Sequence, residues 1–237
     1  MASESAAAGT RGTGARRVRL GPERIVDALL ELARREPHER LTFKRIGEEL
    51  GVDATAMYRH FRNREAMTQA ALDRLSRLSV EAGQGIGGGW RARLEAHLLA
   101  TAELYLTYPA LGAEGAVIDP AGPGDAAAVE FLLAALHEAG LEGEALVRAY
   151  AAVSGFALSL SAAMAHEVMR AGGAAGAAGS EPWITSFGPA HLPDYPQLYA
   201  NRDALFALSG MDVYRAGIAA LLDSVERQAG ERTPGDR

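Results

Sequence analysis

Apolar residues recur along the chain in steps of three and four and nowhere in sustained alternation, so the pattern reads as helices throughout. Ile25, Val26, Leu29, Leu32 and Ala33 mark one face of a first helix, which begins at Pro22 and stops at Pro37. Thr42 is placed to cap a second, short helix with the inward stripe Phe43, Ile46 and Leu50, and Gly51 supplies the left-handed residue that ends it. Asp53 caps a third helix, 54–61, of about two turns, which buries Met57 and Phe61. Asn63 caps a fourth, 63–80, with Met67, Ala71, Leu75 and Leu78 on one face.

The run GQGIGGG at 83–89 is too rich in glycine to continue a helix, since each Gly costs about 1 kcal/mol relative to Ala. It is expected to separate two units. Beyond it Leu94, Leu98, Thr101 and Tyr105 begin a helix that ends at Tyr108-Pro109, and Val129, Leu132, Leu133 and Leu136 make another that ends at Gly140. Leu146, Tyr150, Val153, Ala157, Leu160, Met164 and Val168 form the stripe of a long helix, halted by GGAAGAAGS. The stretch up to Pro196 reads as an irregular connection, and Tyr214, Ile218, Leu221 and Val225 mark a last amphipathic helix. The expected class is all-α. The divisions are a disordered basic arm at 1–20, an N-terminal unit at 21–82 and a C-terminal helical bundle at 90–229.

Charge changes this picture because it is divided unevenly. Residues 1–64 carry 13 Lys+Arg and 9 Asp+Glu, net +4, and the remainder is net −10, giving −6 for the chain. A basic unit on an acidic body suits a phosphate-binding head whose body stays off nucleic acid. With no cysteine, thiolate metal sites and cysteine nucleophiles are excluded. No uninterrupted apolar run of 18 residues and no leader-like start is seen, so a soluble, cytoplasmic protein without membrane contact is expected. His137-Glu138 and His166-Glu167 are followed at the fifth place by Leu141 and Arg170, so neither completes the His-Glu-x-x-His of a zinc hydrolase. There is no phosphate loop and no nucleophile elbow. No catalytic residue, metal or cofactor is expected, and an all-α enzyme is the weakest reading.

The two short helices around GVD have the layout of a helix-turn-helix, whose second helix enters a major groove. Tyr58, Arg59, His60, Arg62 and Arg64 cluster there. The segment LTFKRIGEELGVDATAMYRHFRNREAMTQAAL, 41–72, closely resembles the DNA-binding head of the tetracycline-repressor-like family of bacterial regulators. The resemblance rests on the Tyr58-Arg59-His60-Phe61 run with Asn63-Arg64-Glu65 at its offset, and it spans about 22–80. It implies double-stranded operator DNA as partner, with Thr42 and Lys44 near phosphate and base, Thr55 and Tyr58 near bases, and His60 and Arg64 at phosphates. Arg64 stands where the family usually has lysine. Ala54 offers no side-chain donor, and Arg11, Arg16, Arg17 and Arg19 are free either to track a groove or to be solvated.

LTYPAL (106–111), LLAALHEAGL (132–141) and GMDVYRAGIAALLDSVE (210–226) resemble the effector-binding and dimerisation bundle of the tetracycline-repressor subclass. That implies a homodimer joined through the long and last helices, whose small residues Ala149, Ala152, Gly155, Ser159, Ala162 and Ala163 favour close approach. His97, Thr101, Tyr105, Phe131, Tyr150 and Phe156 put polar or aromatic groups on otherwise apolar faces, which suits a cavity for a small hydrophobic or aromatic effector. The fourth helix has no histidine, so the resemblance does not extend to a magnesium–tetracycline complex. The function expected is a ligand-responsive transcriptional regulator, most simply a repressor on a palindromic operator. The alternative is a constitutive architectural DNA binder with a fully packed body.

Overall fold

The structure, a computed structural model, describes residues 20–118, 121–171, 179–180, 182–184 and 191–231. The expected arm lies outside the described residues, apart from Leu20, as does most of the connection after the long helix. Among the described residues the fold is all-α: α1 Pro22–Arg35, α2 Phe43–Leu50, α3 Arg64–Gln84, α4 Trp90–Thr107, α5 Pro109–Gly112, α6 Pro123–Glu138, α7 Gly143–Ala171, α8 Pro196–Ala207 and α9 Gly210–Glu231. Short 3₁₀ helices occupy Ala54–Arg59 and Leu192–Asp194, and a single bridge pairs Pro182 with Ser209.

The caps form where the side chains dictate. Thr42 Oγ1 accepts from the Arg45 amide at 3.3 Å, Asp53 Oδ1 from Thr55 at 2.7 Å and Asn63 Oδ1 from Ala66 at 2.8 Å. Gly51, at φ +64°, ends α2 in the left-handed region. Gly47 is needed for a different reason: a Cβ there would lie 2.8 Å from the Val52 carbonyl, so only glycine lets the turn close against α2.

Four expectations change. The segment expected as a two-turn α-helix at 54–61 is a 3₁₀ helix ending at Arg59, its amides Ala56 and His60 bonding three residues back to Asp53 and Met57. A piece this short has little room for i→i+4 bonds, and the tighter winding satisfies its ends. The fourth helix, now α3, runs on through Gly83 to Gln84, so the helix ends two residues into the glycine run and the break falls at 85–89. A Cβ at Gly83 would lie 2.7 Å from Phe131 Cζ and 2.9 Å from the Arg93 carbonyl, so this glycine allows α3 to approach α4 and α6 instead of ending it. Leu78, expected inside, is exposed. Helix α5 starts at Pro109, read from the pattern as a break, and α8 starts at Pro196 and occupies a stretch to which the pattern assigned no element.

Two apolar clusters hold the fold. The first gathers Ile25, Leu29, Ile46, Met57, Phe61, Met67 and Leu75 with Tyr105, Leu111 and Ala165 of the later helices. The second joins α4, α6, α7 and α9 through Leu98, Leu136, Val153, Leu160, Tyr214 and Leu222. Each fully buried side chain of this size contributes about 1.5–3 kcal/mol. By length and hydropathy alone α7 could cross a membrane, although its arginine and histidine ends bound the apolar stretch. Its stripe from Val153 to Val168 is buried in the second cluster, whereas Ala152, Gly155, Ser159 and Ala163 on its other side are exposed in the protomer. Helix α8 buries no residue in the protomer.

Candidate nucleic-acid interface and internal cavity

The helix-turn-helix presents a small set of side chains outward. Tyr58 is 62% exposed, and its ring meets Phe43 edge-on at 4.8 Å, so the buried start of α2 orients the phenol toward solvent. Lys44 stands free of the surface apart from a loose 3.9 Å approach to Glu48. Thr55 is exposed, and its hydroxyl and amide both serve the Asp53 carboxylate, holding it below the usual carboxylate range. That leaves the Thr55 methyl and oxygen lone pairs for a groove. Thr42 and His60 are half-buried at opposite ends of the motif. Arg59 and Arg62, which the assignment of contacts had passed over, are exposed and form no ion pair among the described residues, unlike most arginines around them.

Arg64 does not sit as expected. Its guanidinium donates from Nε to the Leu41 carbonyl at 3.1 Å and through both terminal nitrogens to the Glu114 carboxylate, and both side chains are about one-third exposed or less, at 33% and 28%. A cation at the first position of a helix faces the positive end of its dipole, and Glu114 offsets that. In this conformation Arg64 fastens the helix-turn-helix to the loop after α5, its guanidinium committed within the protein.

Between α3, α4, α6 and α7 lies a cavity of about 120 Å³. Leu72, Leu75, Leu98, Leu104, Val129 and Leu132 make its apolar wall. Of the six residues expected to meet a ligand, His97, Thr101, Tyr105 and Tyr150 line it. Phe131 and Phe156 do not. The Phe131 ring lies 5.2 Å from the His97 ring and fills the gap left at Gly83, and Phe156 stacks on Tyr214 at 6.1 Å, joining α7 to α9. The pattern had missed Gln69, Ser76, Ser79, Asp125 and Ser154, which also line the cavity. Small hydroxyl residues on amphipathic helices carry no sequence signal separating a cavity wall from an ordinary interior.

Burial sets the chemistry of the cavity's ionisable groups. His97 is 4% exposed; desolvation, only partly opposed by the nearby Ser79 carbonyl, pushes the imidazole down from 6.5 to about 4, so it is neutral at physiological pH. Desolvation, reinforced by the Asp125 carboxylate, pushes the Tyr105 phenol up to about 12. Asp125 is held in place: Oδ1 accepts from Ser76 Oγ at 2.8 Å, and Oδ2 from the amides of Ala121 and Gly122 at 3.1 and 3.3 Å. The start of α6 is anchored to α3 as well, because Asp73 Oδ1 accepts from the Gly124 and Asp125 amides at 2.6 and 3.0 Å. Among the described residues no three His, Cys, Asp or Glu side chains converge in a way that could hold a metal ion.

Residues 25–71 match the sequence profile of bacterial regulatory proteins, tetR family. The chain is 31% identical over 134 residues to the HTH-type transcriptional repressor DrrR1 of Streptomyces coeruleorubidus, covering 56% of this chain and 50% of that protein. It is 29% identical over 185 residues to an HTH-type transcriptional regulator of Saccharopolyspora erythraea, covering 77% and 75%. The chain thus spans about half the length of the first relative. Among solved structures, the TetR family protein ActR of Streptomyces coelicolor in complex with actinorhodin superposes with a TM-score of 0.70 over 90% of this chain and 100% of that one, at 19% identity. The transcriptional regulator SCO7222, a TetR from Streptomyces coelicolor, does so with 0.66 over 88% and 98%, at 23% identity. At such identities the likeness speaks for the fold.

Proposed function

We propose that this chain, a member of the tetR family of bacterial regulatory proteins, is a cytoplasmic, homodimeric DNA-binding repressor released from a palindromic operator by a small, largely apolar molecule. The observation that carries this reading is the course of α3. Its first residue, Arg64, is bonded to the helix-turn-helix, and Gln69, Leu72, Leu75, Ser76 and Ser79 farther along the same helix form one wall of the cavity. Twenty-one residues of helix span about 31 Å, so one rigid element touches both sites. A ligand pressing on that wall tilts the recognition element of each subunit. Two recognition elements must meet half-sites about 34 Å apart, so a small tilt suffices to spoil the match.

The dimer is supported by surfaces the protomer leaves open. Gly155, Ser159 and Ala163 on α7 and the whole of α8, with Leu198, Tyr199 and Leu205, need cover that a second copy supplies. The repressor assignment draws on the likeness to DrrR1, and the ligand response on the shared fold with ActR, whose complex contains actinorhodin. On DNA, Lys44, Thr55, Tyr58 and the free Arg59 and Arg62 meet bases and phosphates, with Thr42 and His60 at the flanks. The head at 21–82 and the body at 90–229 divide the two tasks.

Selection of bound fragments from random duplexes, followed by footprinting, tests the first half: an inverted repeat protected by two subunits is expected, and an asymmetric site held by one subunit refutes the architecture. The second half is tested by linkage. A ligand that weakens operator binding 5- to 150-fold, the range of about 1–3 kcal/mol of coupling, must itself bind more weakly by the same factor when operator is saturating. Equal ligand affinity with and without operator leaves a constitutive DNA binder.

A further inference from the structure

Most polar groups of the cavity are turned the same way. A hydroxyl has one proton to give, and those of the wall have given theirs elsewhere: Ser76 to Asp125 at 2.8 Å, Ser79 to the Ser76 carbonyl at 2.8 Å, Thr101 to the His97 carbonyl at 3.0 Å and Ser154 to the Tyr150 carbonyl at 2.7 Å. Each then offers only lone pairs. The neutral His97 ring has a single N–H, drawn to the Ser79 carbonyl, which can only accept. The other ring nitrogen is therefore an acceptor, and no serine or threonine of the wall has a proton left for it. Asp125 adds carboxylate oxygens, and no arginine or lysine lines the cavity. Tyr105 and Tyr150, each with one phenolic proton to donate, and Gln69, whose amide carries donors as well as an acceptor, are the exceptions.

Building on the reading of this cavity as the effector site, we propose that it selects an uncharged, largely apolar ligand that donates hydrogen bonds, such as a hydroxylated aromatic, with His97 as the acceptor that reads the donor and Asp125 as the group that turns carboxylates away. A donor-bearing ligand satisfies an acceptor that the empty site leaves buried and unmet. A ligand of the same shape without the donor keeps that deficit, and an anion meets the Asp125 charge with no cation to offset it.

Three probes of one shape separate these effects: 2-naphthol, 2-methoxynaphthalene and 2-naphthoate, each titrated calorimetrically into the full-length chain. The expected order is 2-naphthol about tenfold tighter than 2-methoxynaphthalene, the difference one buried neutral hydrogen bond supplies, with 2-naphthoate weaker than both. In His97→Phe the two neutral probes should bind alike. Equal affinity of the neutral probes for the wild-type protein overturns the proposal, as does binding of 2-naphthoate on a par with 2-naphthol, absence of binding by all three, or the preference surviving in His97→Phe. The wild-type comparison needs no variant, so it decides the matter even where His97→Phe does not fold. Operator retention measured with 2-naphthol bound is a separate readout. The expected preference together with an undisturbed operator complex supports the ligand class and refutes the effector role.

Discussion

Acidification should weaken this fold through one residue. His97 is enclosed by α3, where Gly83 and the Ser79 carbonyl approach it, by Phe131 of α6 and by the cavity. The charged groups nearest it are engaged elsewhere, Arg93 on the same helix with Glu138, and Asp125 across the cavity with Ser76 and two amides. No acid holds the imidazolium, so burial lowers its pKa from 6.5 to about 4. Between these values the unfolded chain binds a proton that the folded chain refuses. The contribution is therefore complete above 6.5 and is lost as pH falls toward 4. At pH 5.0, 1.5 units below the ordinary value, the loss is about 2 kcal/mol, roughly 30-fold in the folding equilibrium.

The assay is urea unfolding at pH 7.5 and pH 5.0 with wild type and His97→Gln at one fixed chain concentration, because the proposed dimer would make stability depend on concentration. Other groups titrate over the same interval, but they are common to both proteins, so the difference between the two pH-induced losses isolates His97. Wild type should lose about 2 kcal/mol more than the variant. Equal losses would refute the reasoning, meaning that the ring is hydrated or finds a counter-charge in the folded protein.

Gly83→Ala would bring a Cβ to 2.7 Å from Phe131 Cζ and 2.9 Å from the Arg93 carbonyl; a cost of about 1–3 kcal/mol is expected, read as a drop in Tm, and an unchanged Tm would mean that α3 and α4 part there without cost. Asp73→Ala removes the acceptor for the Gly124 and Asp125 amides and should cost about 1.5–3 kcal/mol of stability in denaturant titrations, whereas a loss near zero would mean that water replaces the cap. Arg62→Ala should lower the slope of log binding constant against log salt by about one phosphate equivalent. Arg64→Ala should leave that slope unchanged and lower Tm, because its guanidinium serves Leu41 and Glu114; a flattened slope would show that it leaves Glu114 when DNA binds.

What the sequence disclosed and what it hid divide by range. Thr42, Asp53 and Asn63 cap amides two or three residues away, and Gly51 acts through its own φ, so the helix starts and the turn were legible in a few letters. Gly83 looked like a break because its meaning lies in Phe131 and Arg93 across a helix interface. Phe131 and Phe156 looked like cavity residues for the same reason: a half-apolar helix has two flanks, and spacing does not say which one meets the void. Asp73 serves amides 51 and 52 residues away, a pairing that no local pattern announces.

The arginines make the sharpest case. A net charge of +4 over residues 1–64 pointed to DNA, yet much of that charge is committed within the protein. Arg34 pairs with Glu31, Arg35 with Glu49, Arg45 with Glu36 and Glu39, and Arg64 with a glutamate 50 positions on. Paired cations contribute little to counterion release, since their charge is already met. The salt dependence of operator binding should therefore follow Lys44, Arg59 and Arg62 and not the cation count of the head. The cluster of cationic letters at 59–64 accordingly contains two kinds of residue, Arg59 and Arg62 open to solvent and Arg64 fastening the recognition unit to the body. Only the location of Glu114 tells them apart.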